Sequence, residues 1–346
     1  MEDRRFGHDR AEWTEHVLRA SDLPFAYGGE TGSAFPVWQE TLREELRSVL
    51  GFPVIREGGV PDLDPRCHGT EAAADHERQM WSVRTEREFR VPFYLLLPNE
   101  PEPPYPVVLT VHGHAESGKE LSVGEVESDA DRERIADERR DIARQAVECG
   151  YAAVAPDMRA FGELAAPETA SGDRQCTSLQ KHAQLVGRTL VGERVWDTLR
   201  LIEFVQRRAA LDVDRLAITG HSGGGVVTLF AAALDDRLSP VAPCASVCPF
   251  EDSLVPIDHC VCNYVPGIRR LGEVWDFAGL IAPRPLLVAA GEHDPIFPIE
   301  GTRRAFDRLR DVYRGSGAHD ACELYVGDGG HRYYEAGVWP FIRDHL

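Results

Sequence analysis

From residue 107 onward, short apolar, β-branched runs alternate with longer stretches in which apolar residues recur every three or four positions. Val107-Val108-Leu109-Thr110-Val111 and residues 152–155, 216–219, 241–247, 285–290 and 322–326 have the length and composition of buried parallel strands. Residues 129–149, 192–207, 224–234, 302–313 and 334–345 have the spacing of helices. In 192–207, Val195, Leu199, Ile202 and Val205 share one face. Before residue 107 the pattern is different. Residues 12–19 and 38–50 are predicted helices, the second carrying Leu42, Leu46, Val49 and Leu50 and ending at Gly51-Phe52-Pro53. Residues 54–77 are rich in Gly, Pro and Asp and are predicted to be loop. Over 79–97, Trp81, Val83 and Thr85 alternate with polar residues and an apolar run follows, which predicts two or three antiparallel strands.

Strands alternating with helices imply an α/β fold: a mainly parallel, twisted sheet with helices on both faces and an antiparallel N-terminal edge. No repeat or low-complexity linker divides the chain. Residues 1–77 are predicted as an N-terminal helical extension packed on the main domain. Residues 78–346 form that domain, with inserted segments near 159–190 and 249–275.

Charge narrows the partners. The net charge of −19 disfavours nucleic acid and anionic membranes, both of which repel an acidic surface. Lys119 and Lys181 are the two lysines, so the basic residues are nearly all arginine; this is read as genome composition, with a salt-adapted surface as the alternative. Met1-Glu2-Asp3-Arg4-Arg5 leads into a polar stretch with no signal-peptide core, and no run has the length of a membrane span, so a cytoplasmic location is expected. The eight cysteines are then expected as thiols. His259-Cys260-Val261-Cys262 invites a metal reading, but the spacing is not C-x-x-C and no second pair completes four ligands, so a packed loop is preferred.

The chemistry concentrates at strand ends. Residues 216–219 run into Gly220-His221-Ser222-Gly223-Gly224, followed by a small, apolar helix, which is the pattern of a sharp strand-to-helix turn that exposes Ser222. A serine hydroxyl needs a base to take its proton, and the base needs a third group to hold its tautomer. Residues 285–290 lead to Gly291-Glu292-His293-Asp294-Pro295, and the last strand leads to Gly327-Asp328-Gly329-Gly330-His331. Asp294 alone could be a turn former, and His331 is one of thirteen histidines. Three strand ends bearing the right residue types in the order Ser222, Asp294, His331 select a catalytic triad. The oxyanion donors are expected from the Gly223 N–H and from the loop at His112-Gly113-His114, with His114 preferred over Gly113. A zinc site on His112 and His114 would need a further carboxylate or histidine, so no metal and no cofactor are expected. Arg159 is assigned a structural role ahead of a substrate contact, and Asp197 a structural partnership.

These motifs resemble the α/β-hydrolase superfamily, and within it the dienelactone-hydrolase-like branch that includes acetyl xylan esterase-like proteins. The likeness runs over about residues 80–345. It rests on His112-Gly113-His114, Asp157-Met158-Arg159-Ala160-Phe161-Gly162, Gly192-Glu193-Arg194-Val195-Trp196-Asp197, the Ser222 turn, Cys262-Asn263-Tyr264-Val265-Pro266-Gly267, Ala282-Pro283-Arg284-Pro285, and the Asp294 and His331 loops. Dienelactone hydrolases proper use cysteine; serine here shifts the implied chemistry toward oxygen esters. The expectation is a serine esterase acting on short-chain acyl or acetyl esters, acetylated carbohydrate among them, with a small-molecule substrate and association into homo-oligomers left open. Two competing readings are a serine peptidase of the prolyl-oligopeptidase type, for which 346 residues leave no room for an accessory propeller, and a non-catalytic binding module.

Overall fold

The computed structural model describes residues 10–19, 22–165 and 172–346; the expectation placed on the first five residues and part of the 159–190 segment lie outside them. Nine strands form one sheet: β1 Arg66–Ala72, β2 His76–Glu86, β3 Phe89–Pro98, β4 Tyr105–Val111, β5 Ala152–Pro156, β6 Leu211–His221, β7 Val241–Cys244, β8 Leu286–Gly291 and β9 Cys322–Gly327. Their order is β1-β2-β3-β5-β4-β6-β7-β8-β9. The first three strands and the β3–β5 pair are antiparallel, and every pair from β5 through β4 to β9 is parallel. The parallel strands are apolar because both faces are covered. Leu109, Val154, Ile218 and Val288 pack toward one helical layer; Val108, Ala153, Ala217 and Leu287 pack toward the other.

Helix Ala34–Leu50 buries Phe35, Trp38, Leu42, Leu46 and Leu50 in the main core. Two local readings are corrected. Residues 54–77 are not all loop: helix Phe52–Glu57 and β1 occupy much of the stretch. Strand β1 is exposed at every position and has no apolar alternation; backbone pairing with β2 makes it a strand, and no hydrophobic pattern announces it. The β1–β2 pairing spans residue 77, so the sheet begins inside the extension. Residues 129–149 are also two helices, Asp129–Glu138 and Ile142–Glu148, separated where Arg139 adopts φ 57. No helix among the described residues is long and apolar enough to cross a membrane.

Candidate active site

The parallel strands β4, β6, β8 and β9 all end at the same edge of the sheet, where ligands of open α/β sheets are bound. Strand β6 delivers Ser222 in a left-handed conformation, φ 56 and ψ −119, and helix Gly223–Leu234 starts at the next residue. The turn is steric in origin. A Cβ at Gly220 would lie 2.6 Å from the Gly224 carbonyl oxygen, and one at Gly224 would lie 2.7 Å from the Val111 carbonyl carbon, so strand and helix close up only with glycine at both places. The Ser222 N–H donates to the Cys244 carbonyl at 2.9 Å, which ties the strained residue to β7.

Asp294 follows β8 and is buried. Its Oδ1 accepts backbone N–H groups from Ile296 at 2.8 Å and Phe297 at 3.0 Å, while Oδ2 lies 2.8 Å from His331 Nδ1. With one oxygen occupied by two donors, the other fixes the proton on Nδ1 and leaves Nε2 basic. His331 follows β9, and its ring stacks on Phe297 at 5.8 Å with an interplanar angle of 22°. It stands 4.8 Å from the ring of His221, the neighbour of Ser222. Acid and base are therefore hydrogen-bonded. Among the described residues no hydrogen bond joins His331 to the Ser222 hydroxyl.

The two residues expected to supply oxyanion donors are in contact. Gly223 is the first residue of its helix, where N–H groups lack intrahelical partners. The His114 imidazole lies across it: a Cβ on Gly223 would fall 2.7 Å from His114 Cε1 and 2.8 Å from Nδ1. The His114 carbonyl accepts from Arg140 Nη1 at 2.9 Å, which is what the break at Arg139 achieves. His112 shapes this loop as a neutral ring. Its Nδ1–H donates to the Gly113 carbonyl at 2.7 Å, its Nε2 accepts the Met158 N–H at 3.0 Å, and burial pulls its pKa down to about 3. Burial likewise holds His221 well below the usual histidine range, and among the described residues neither of its ring nitrogens has a hydrogen-bond partner.

Arg159 is held among carboxylates. It is buried, its Nε and Nη2 donate to Asp197 at 2.7 and 2.8 Å, and it reaches Glu86 at 2.7 Å and Glu193 at 3.2 Å. Asp197 is thereby its bidentate partner.

Two features escaped the sequence. The first is a small apolar pocket lined by Val226, Leu229, Phe230, Phe250, Ile268 and Phe297 among others. It adjoins the triad through Phe297, which stacks on His331, and Val226, one turn along from Ser222. The second is a cluster of four side chains, which corrects the expectation that nothing completes a ligand set with Cys260 and Cys262. Cys260 and Cys262 do have partner ligands, because folding brings His114 and Cys176 to them: His114 Nε2 lies 3.2 Å from Cys262 Sγ, 148 positions away in sequence. Local spacing carries no trace of this.

Residues 25–328 match the profile of the Abhydrolase family, and the chain belongs to that family. Over 301 residues, covering 84% of this chain and 94% of the other, it is 28% identical to the "Putative hydrolase YtaP" of Bacillus subtilis (strain 168). Among solved structures, it is similar to a "putative acetyl xylan esterase" from Bacteroides fragilis, with TM-score 0.78 and 20% identity over 94% of this chain and 84% of that one. A glucuronoyl esterase from Solibacter usitatus superposes with TM-score 0.68 and 16% identity, over 95% and 99% of the two chains. At such identities the likeness establishes the α/β-hydrolase fold, in agreement with the topology described above.

Proposed function

We propose that the protein is a serine esterase that hydrolyses small carboxylic esters through an acyl-enzyme. The observation that carries the reading is the Asp294–His331 hydrogen bond of 2.8 Å, with the His331 ring 4.8 Å from that of His221, the residue before a positive-φ Ser222. His331 Nε2 takes the hydroxyl proton as Ser222 Oγ attacks the ester carbonyl. The oxyanion rests on the N–H groups of Gly223 and His114, and Asp294 stabilises the imidazolium. His331 returns the proton to the leaving alkoxide, which departs as the alcohol. Water then repeats the sequence on the acyl-enzyme and releases the acid.

The apolar pocket favours one small hydrophobic group on the substrate, on its acyl or its alcohol side. Similarity to proteins named as acetyl xylan and glucuronoyl esterases supports an oxygen ester over a peptide. The test is a series of nitrophenyl esters of increasing acyl length, together with fluorophosphonate labelling followed by peptide mapping. Turnover that depends on acyl length and a label on Ser222, both lost in Ser222→Ala, is the expected result. Hydrolysis unchanged in Ser222→Ala, or a folded chain that neither labels nor turns over any ester, would overturn the reading.

A further inference from the structure

We propose that His114, Cys176, Cys260 and Cys262 bind one zinc ion, which clasps both inserted segments to the loop carrying the oxyanion donor. The ligand atoms, one imidazole nitrogen and three sulfurs, all lie within 4.8 Å of one another. Two of the separations are 3.2 Å, His114 Nε2 to Cys262 Sγ, and 3.3 Å, Cys262 Sγ to Cys260 Sγ. A tetrahedral zinc with ordinary Zn–S bonds sets its sulfurs about 3.7 Å apart, so adjustments of a few tenths of an ångström to about 1 Å seat the ion. Three thiolates and one imidazole in tetrahedral array select zinc over hard cations, which prefer oxygen.

A second observation comes from charge. Zinc with three thiolates carries a net charge of −1, which needs a counter-charge when buried. Arg194 provides it: it is buried, its Nη2 donates to Cys176 Sγ at 3.3 Å, and its other hydrogen bonds go to the Arg159 carbonyl. Among the described residues this guanidinium has no carboxylate partner, an unusual condition for a buried arginine. The sulfur cluster is where its compensating negative charge belongs.

The ligands come from three separate stretches: the loop after β4, helix Gly172–Leu185, and the loop around Val261–Asn263. Gln180 already joins the last two, since its Nε2 donates to the Tyr264 carbonyl at 3.1 Å. Four protein ligands leave no open position, so the ion is structural and takes no part in the reaction. Binding displaces the three thiol protons to solvent and changes no oxidation state. With zinc on Nε2, the His114 proton sits on Nδ1, the nitrogen that faces Gly223. The metal then holds the His114 ring in place, and with it the backbone N–H assigned to the oxyanion.

The test reads metal and is independent of esterase activity. Full-length protein, purified reduced and stripped with a chelator, is titrated with zinc and with cobalt. About one equivalent should bind, the cobalt form showing sulfur-to-cobalt charge transfer and the strong visible bands of a tetrahedral site. Cys176→Ser and Cys262→Ser should lower the uptake at least tenfold, and Cys322→Ser, outside the cluster, should leave it unchanged. Failure of the reduced, folded wild type to take up either metal would overturn the proposal. So would cobalt spectra without sulfur ligation, undiminished uptake in both serine variants, or a disulfide between these cysteines in freshly purified protein.

Discussion

Replacing Asp294 with asparagine isolates the part of the mechanism that the geometry specifies most fully. The side chain is buried and the two forms are nearly isosteric, so packing should be unaffected. The asparagine oxygen can keep the Ile296 and Phe297 N–H groups that now bind Oδ1 at 2.8 and 3.0 Å. Its NH2 then takes the place of Oδ2, 2.8 Å from His331 Nδ1. A donor in that position demands a bare Nδ1, which moves the imidazole proton to Nε2. His331 would present an N–H to Ser222 and could no longer accept its proton. Loss of the correct tautomer, with loss of the charge that stabilises the imidazolium, corresponds to about a 10⁴-fold fall in kcat, or about 5 kcal/mol of transition-state stabilisation. The assay is steady-state hydrolysis of a nitrophenyl ester, with the rate of fluorophosphonate labelling as a direct report on Ser222. Thermal unfolding should be nearly unchanged. A loss of activity below about tenfold in a normally folded Asp294→Asn protein would refute the assignment of this carboxylate as the orienting acid.

Gly223→Ala forces a methyl group into the His114 imidazole, and kcat should fall about 10²-fold or more while the fold persists; activity within about threefold of wild type would mean that these two residues do not form the oxyanion site. Arg159→Met leaves Asp197 without its bidentate partner and should cost about 3–5 kcal/mol in urea unfolding, since a buried carboxylate loses its counter-charge; a loss below about 1 kcal/mol would contradict that. Burial pushes Glu273 up from its ordinary value of 4.5 to about 7, so the folded state holds this proton more tightly than the unfolded chain. Its contribution is fully present below about pH 4.5 and is lost as pH rises through about 7, with a ceiling of about 3 kcal/mol. Glu273→Gln should abolish that component and gain stability relative to wild type as pH rises from about 4.5 to 8; parallel stability profiles for the two proteins would count against it.

What could be read in the sequence depended on whether the cause was local. A buried parallel strand announces itself by its own residues, so β4, β5, β6, β8 and β9 were visible within a few positions. The acid and the base follow such strands directly, and Ser222 lies in a turn whose glycines are fixed by close approach. Strand β1 was invisible because its seven residues are all exposed and its conformation is set by pairing with β2. The break at Arg139 was hidden for a different reason. The charged residues around it suit a helix, and the interaction that rewards the break, Arg140 with the His114 carbonyl, is made with another loop. Cys176 falls in the same class, since it is an unremarkable residue until the fold brings it, with His114, to Cys260 and Cys262.

The same division separates the chemistry from its selectivity. The proposed triad is carried by strand ends, which the sheet holds in place whatever the substrate. Half of the residues lining the apolar pocket come from 249–275, an irregular segment with little regular structure of its own. Its wall is tied down by two carboxylates at the start of helix Val274–Gly279: Glu273 Oε1 accepts the Phe250 N–H at 3.0 Å, and Asp276 accepts the Glu273 N–H on Oδ2 and the Tyr27 N–H on Oδ1, both at 2.8 Å. Tyr27 belongs to the N-terminal extension, and Trp38 from the helix beyond it packs in the same core as Phe277. The extension thus acts as a brace for the pocket wall through buried carboxylates, as well as covering one helical layer. Substitutions in the extension should therefore alter the acyl-length preference of ester hydrolysis while the reactivity of Ser222 toward a fluorophosphonate is retained.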